Sequence, residues 1–380
     1  MTRAGPVVDV VVIGGGIVGV ACAAHLAERG RRVVLLERAD IAAGASGRNS
    51  GVVQHPLDPM LIELHMETLD LYRSLIDRAD GGFALPDAPV GLLSVTHDVA
   101  GARRLVDALA ASHPFLRPAF LTPDEVVRLE PSIAPGVAAC RLEIGYPVEP
   151  AGATRAYASW ARRLGVDVRL GVAATPWVVD ARVHGVDLAD GTHVAAGHVV
   201  VAAGSLSPAL IDPTRVWRPI RPSWGVVVAV DLPSPPVHVL EEAEISIEPS
   251  ADDPDPDAGV AFSLVTAAGA SSLGSTFVDE EPDPVALVPT IVDRGMRFVP
   301  AIGDARLGAH RVCARPLSLD GRPLVGAVPG IDGLWLAAGH GPWGISTGPA
   351  SGRLIADLID GGLAAPPASL DPGRFGTTPA

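Results

Sequence analysis

Lysine is absent from this 380-residue chain; all 29 basic residues are arginine. GC-rich coding accounts for most of that bias, as it does for the 42 glycines and 36 prolines, yet it leaves no lysine amine for chemistry. Basic tracts are missing too, and 43 acidic residues bring the formal charge to -14, which argues against nucleic acid or an anionic membrane as partner. Cysteine is scarce. Cys22, Cys140 and Cys313 are odd in number and widely spaced, which argues against a disulfide framework and a metal cluster and fits a reducing cytoplasm. The apolar run near the N-terminus holds glycines and stops at Glu28 and Arg29, so neither a signal peptide nor a membrane span is expected. Length and charge instead fit two units around a large core, handling a small soluble ligand.

What the sequence does contain is an α/β pattern. Residues 8–13, VDVVVI, read as a buried parallel strand, followed by GGGIVG, a helix from about Ile17 to Arg29, and a second strand at 32–37. Further helices are predicted around 60–80, 100–112 and 149–165. Short alternating strands follow from 166 onward, with Asp190-Gly191 as a hairpin turn, and suggest an antiparallel β-meander. Residues 216–312 are strand-rich, including AEISIEP, and are broken by a Pro-Asp stretch at 249–259 that reads as a solvated hairpin loop. The end returns to the earlier style, with strand GLWLAAG, a glycine-rich turn and a helix.

Gly14, Gly16 and Gly19 form G-x-G-x-x-G between a strand and a helix, and Glu37 closes the second strand 23 residues after Gly14. Glycines permit the tight turn and let a pyrophosphate approach the helix start at Ile17, while a carboxylate at that distance accepts ribose hydroxyls. The second strand runs through Arg38 into AAGASGRNSGVV, a small-residue, donor-rich loop that favours FAD over NAD.

Here the chain resembles the D-amino acid oxidase, glycine oxidase and sarcosine oxidase superfamily of FAD-dependent oxidoreductases. The resemblance rests on Ser46, Arg48, Asn49, Ser50 and Gly51, on HVVVAAGSLS at 198–207, on CARPLSLDGRPLVGAVPG at 313–330 and on GLWLAAGHGPWGISTGPASG at 333–352. It implies a Rossmann-like FAD-binding domain, with a central parallel sheet and β-meander, interleaved with an α+β substrate domain holding an antiparallel sheet. The former would comprise 1–85, 149–215 and 320–365, the latter 86–148 and 216–319, with 366–380 as a tail. Ala203 and Gly204 would approach the adenosine end, with Ala174 also counted among the cofactor contacts. The turn of Gly339, His340, Gly341, Gly344, Ile345, Ser346 and Thr347 would cradle the flavin, its backbone amides forming a positive pole for the reduced ring. His340 is either a turn histidine bonded to backbone or a direct flavin contact.

Arg315 falls where this family grips a substrate carboxylate, an arrangement that presents the substrate's α-carbon for hydride transfer to flavin N5. The alternative is a structural ion pair. Cys313 falls where sarcosine oxidases bond the flavin covalently, or else is a small buried hydrophobe. Two departures from the family stand out. Pro342 and Trp343 replace a second basic residue after the AGH turn, and Ser272 replaces the lysine that activates oxygen in sarcosine oxidases. The expected activity is FAD-dependent oxidation of the C–N bond of a small amino acid or N-alkyl amino acid, with oxygen or another acceptor taking the electrons. The rivals are a 2-hydroxy acid oxidase and a flavin subunit of a larger amine dehydrogenase.

Overall fold

A computed structural model describes residues 8–78, 82–243 and 259–376. Two eight-stranded sheets dominate it. In the first, the strand Val8–Ile13 lies parallel to Val33–Glu37 on one side and to His193–Val201 on the other. Asp167–Leu170 extends the sheet parallel beyond Val33–Glu37, so this segment belongs to the parallel sheet and not to the expected meander. The meander itself is Ala174–Val179, Arg182–Leu188 and His193–Val201, with its second turn across Asp190-Gly191. Leu334–Ala338 then joins parallel to His193–Val201, and Leu324–Ala327 closes the edge antiparallel.

The reason for this order lies in the strands' composition. Val10, Val11 and Val12 are fully buried, as both faces of the first strand must be covered, and a continuous β-branched run supplies that. Helices cover one face. Ile17–Glu28 packs against Gly344–Ile359, whose Gly352 permits close approach: a β-carbon there would stand 2.7 Å from Ala21 Cβ. The predicted helices appear as Pro59–Arg78, Val99–Ser112 and Gly152–Arg163.

The second sheet runs, in spatial order, Arg306–Ser318, Ile220–Asp231, Ala270–Thr276, Val260–Ala267, Val239–Glu242, Leu92–Thr96, Ala138–Leu142 and Ala119–Leu121. One face packs on a core that includes Leu240, Leu264, Leu273 and Phe262. Residues of alternate parity face the other way and line a cavity. The Pro-Asp hairpin expected at 249–259 and most of the strand expected at 243–249 lie outside the described residues. Residues 366–376 do not trail away as a tail: Leu370 is fully buried, its carbonyl accepts the Val325 N–H at 2.8 Å, and Arg374 pairs with Asp320 at 2.8 Å. An apolar side chain at 370 and a basic one at 374 account for that return.

Candidate active site

A single cavity of about 1590 Å³ runs from the glycine loop to the second sheet. It exceeds the roughly 300–1,000 Å³ of ordinary ligand pockets, which leaves room for a dinucleotide and a small substrate together. Its floor begins at Gly14, whose φ of +120° and close approach to Ala202 exclude a side chain: a β-carbon would meet the Ala202 carbonyl oxygen at 2.4 Å. Gly16 caps the following helix without a side chain. The cap comes instead from a distant residue, since Ser46 Oγ accepts the Ile17 N–H at 3.0 Å. Glu37 Oε2 accepts the Gly15 N–H at 2.7 Å and Oε1 the Ala39 N–H at 2.8 Å, which aims its carboxylate at the loop.

Of the residues expected at the site, the cavity is lined by Gly14, Gly16, Ile17, Glu37, Arg38, Ser46, Arg48, Asn49, Ser50, Ala174, Ala203 and Gly204. Cys313, Arg315, His340, Gly341, Gly344 and Ile345 line it as well. Others stand behind the wall. Gly19 is a packing position, where a β-carbon would stand 2.0 Å from the Gly14 carbonyl oxygen. Gly51 and Gly339 hold positive φ turns. Ser346 Oγ accepts the Gln54 N–H at 2.9 Å, and Thr347 Oγ1 donates to the Trp343 carbonyl at 2.8 Å, so both hydroxyls are engaged within the chain. Asn49 is a staple more than a ligand: its amide donates to the Ala45, Ser46 and Pro150 carbonyls and its Oδ1 accepts the Gly51 N–H at 2.9 Å.

His340 is 2% exposed, and its Nε2 pairs with Ser351 Oγ at 2.9 Å. The partner is a hydroxyl, not the backbone expected of a turn histidine. Ser351 Oγ in turn donates to the Thr347 carbonyl, so Nε2 carries the proton toward Ser351. Burial pushes the imidazole down to about 3, and it is neutral.

Arg315 comes from the long strand Arg306–Ser318, two residues after Cys313 on the same face. Its guanidinium crosses Gly225, lies 4.4 Å from the centre of the Phe277 ring, and donates to Ser275 Oγ at 2.6 Å and the Thr276 carbonyl at 2.7 Å. No carboxylate pairs with it among the described residues. Burial lowers its pKa, yet a guanidinium remains charged. Cys313 is a free thiol that is 6% exposed; burial raises its pKa, against the pull of Arg315, Arg48 and Arg311.

Three features were not evident in the sequence. Arg311, four residues before Arg315 and on the same face, donates to Ser272 Oγ at 2.7 Å and to the Asn49 carbonyl at 3.1 Å, so a cation adjoins the position where lysine is missing. The i, i+2, i+4 spacing of Arg311, Cys313 and Arg315 was the available signal. Glu241 lines the cavity from the strand Val239–Glu242, and Gln54 Nε2 donates to its Oε2 at 2.9 Å. Burial pushes its carboxyl up to about 7, with the Gln54 bond acting in the opposite direction. Gly225 owes its importance to a neighbour across the sheet, which no local pattern reveals.

A glycine-lined, helix-capped loop, an acidic second-strand terminus and a cavity of dinucleotide size fit FAD. The chain matches the FAD dependent oxidoreductase family over residues 9–358 and belongs to it. It is an enzyme, and its cofactor is FAD. Over 93% of its length it is 28% identical to the glycine oxidase of Pseudomonas aeruginosa, covering 94% of that protein. It is 30% identical to the D-amino acid dehydrogenase of Paramagnetospirillum magneticum over 75% of this chain and 66% of that one. In fold it matches the crystal structure of glycine oxidase from Bacillus cereus with a TM-score of 0.80 at 24% identity, over 94% of this chain and 96% of the other. Among the described residues no helix is long and apolar enough to cross a membrane.

Proposed function

We propose that the protein oxidises the C–N bond of a small amino acid or N-alkyl amino acid, and that Arg315 holds the substrate's carboxylate. The observation that carries this reading is a half-buried guanidinium on the cavity wall whose partners among the described residues are all neutral. An unpaired cation facing a cavity calls for an anion, and a planar fork matches a carboxylate in two parallel bonds. Amino-acid oxidation by the glycine oxidase and D-amino acid dehydrogenase relatives supports the same class.

FAD supplies the two-electron acceptor when bound. The amides opening the helix at Ile17 would hold its pyrophosphate, Glu37 its ribose, Ala174, Ala203 and Gly204 the adenosine end, and the turn around Gly341, Gly344 and Ile345 the flavin. This chain's residues then bind and orient. Ser275 and Thr276 fix the Arg315 fork, Phe277 covers one face of it, and the apolar wall keeps water from the bound carboxylate. In this reading the first sheet and its helices form the cofactor lobe and the second sheet the substrate lobe. Oxygen or another acceptor takes the electrons, and a colour assay for peroxide against an artificial dye separates the two. The activity itself is tested by product: release of ammonia or methylamine from small amino acids supports it, whereas turnover of 2-hydroxy acids alone refutes it.

A further inference from the structure

Two adjacent acids on one strand have opposite surroundings. Glu242 is held by Arg294 in two bonds, at 2.7 and 3.0 Å, and takes the Phe262 N–H besides. Glu241, on the cavity face, pairs with no cation among the described residues. Its hydrogen-bond partner is the Gln54 amide. Its cross-strand neighbours are neutral: Ser94 stands opposite it on the parallel strand and Ser263 on the antiparallel one.

The polar atoms nearby are acceptors in want of donors. Gln54 turns its Nε2 to Glu241, which leaves its Oε1, on the same amide, buried with no partner among the described residues. Ser263 Oγ is likewise buried and unpartnered. A carboxylate, an amide oxygen and a hydroxyl at one spot suit a group with several N–H donors and a positive charge.

This pocket faces the same cavity as Arg315. Sheet register sets their separation: Glu241 is opposite Ser263, Ser263 is opposite Gly274, and Ser275, next in that strand, holds the Arg315 guanidinium. Two inter-strand steps of about 4.8 Å put the Glu241 backbone roughly 10 Å from that of Gly274, one residue short of the serine that holds the guanidinium, and the Glu241 and Arg315 side chains reach into the space between. That span admits a molecule with a carboxylate at one end and an ammonium at the other.

We propose that Glu241, with Gln54 and Ser263, is the amine-binding pole of the site, and that the substrate enters as a zwitterion stretched between Glu241 and Arg315. This rests on the carboxylate-binding reading of Arg315 and adds the second contact. It also favours an amino acid over a 2-hydroxy acid, whose hydroxyl carries no charge for Glu241 to meet.

The test uses the FAD-loaded protein and two ligands of equal shape that lack an α-hydrogen and so resist oxidation at that carbon: 2-aminoisobutyrate and pivalate, which differ by an ammonium in place of a methyl. Affinity is read by calorimetry and by perturbation of the flavin spectrum. At pH 8 the unaltered enzyme binds 2-aminoisobutyrate at least tenfold more tightly than pivalate, and the preference collapses by pH 6 as Glu241 gains a proton. Glu241→Gln abolishes the preference while changing pivalate affinity less than twofold; Gln54→Leu, which keeps the charge but removes the amide oxygen, weakens it in part. Equal affinities in the unaltered enzyme, or a preference that survives Glu241→Gln, overturn the inference. Arg315→Ala weakens both ligands. If it spares both while Glu241→Gln still removes the preference, the carboxylate reading of Arg315 falls and the amine pole stands.

Discussion

Arg315 lies across the bare Cα of Gly225, so closely that a β-carbon at 225 would overlap the guanidinium. The two residues are diagonal neighbours on paired strands, Cys313 opposite Gly225 and Arg315 opposite Ser223. Gly225→Ala therefore moves the end of a flexible side chain and not the backbone. The variant should fold and keep its flavin yet lose about 10- to 100-fold in kcat/KM for carboxylate substrates through misplacement of the fork. Unchanged kinetics would show that the guanidinium's position is irrelevant to capture.

Removal of the guanidinium is the harsher experiment. Arg315→Ala should cost about 3 to 5 kcal/mol in kcat/KM, with flavin content nearly normal, since nothing at the glycine loop touches Arg315. Steady-state kinetics alongside the flavin-to-protein absorbance ratio checks both halves of the expectation.

At the other end of the cavity, Gly16→Val sets a branched side chain against Ser46, whose Oγ would stand 3.1 Å from the new β-carbon and already caps Ile17. Glu37→Lys replaces an acceptor of two backbone N–H groups with a cation. Both variants should purify depleted in FAD, and full occupancy in both would refute the cradle.

Cys313 offers a qualitative test. Its thiol faces the cavity and is free, although burial keeps it from ionising readily. If it bonds the flavin, acid-precipitated protein stays yellow and its intact mass includes FAD; a colourless pellet with unaltered mass shows that the residue only packs.

Stability in acid follows from two buried histidines. Burial pushes His340 down to about 3 and His65 to about 4. A base whose folded pKa is depressed contributes stability that is present above its unfolded value near 6.5 and lost as pH falls below it. Thermal unfolding should show the protein losing stability from about pH 6 downward, and His65→Gln should flatten part of that slope.

The readable parts of the sequence were local. Strand, glycines, helix and Glu37 occur in one 30-residue run, and Cys313 and Arg315 share one strand, so both ends of the cavity could be named in advance. Ser46 as a helix cap, Gly225 beneath Arg315 and Glu241 beside Gln54 could not. Each depends on a partner 29 to 187 residues away, and the register that joins them is set by sheet pairing, which leaves no periodic trace in either segment. The strand carrying Glu241 is four residues long and reads as neither alternating nor continuous.

The packing of the first helix against the last has a consequence for biosynthesis. Gly14 is shaped by Ala202, and the helix that follows it is covered by Gly344–Ile359 through Gly352 and Ala21. A nascent chain that has displayed its glycine loop gains Ala202 only about midway through synthesis and the covering helix only near its end. A chain truncated before residue 344 would keep Glu37, Ser46 and Ala202 around the loop yet leave the face of the first helix that Gly352 covers open to water, so stable cofactor loading should wait for the C-terminal helix.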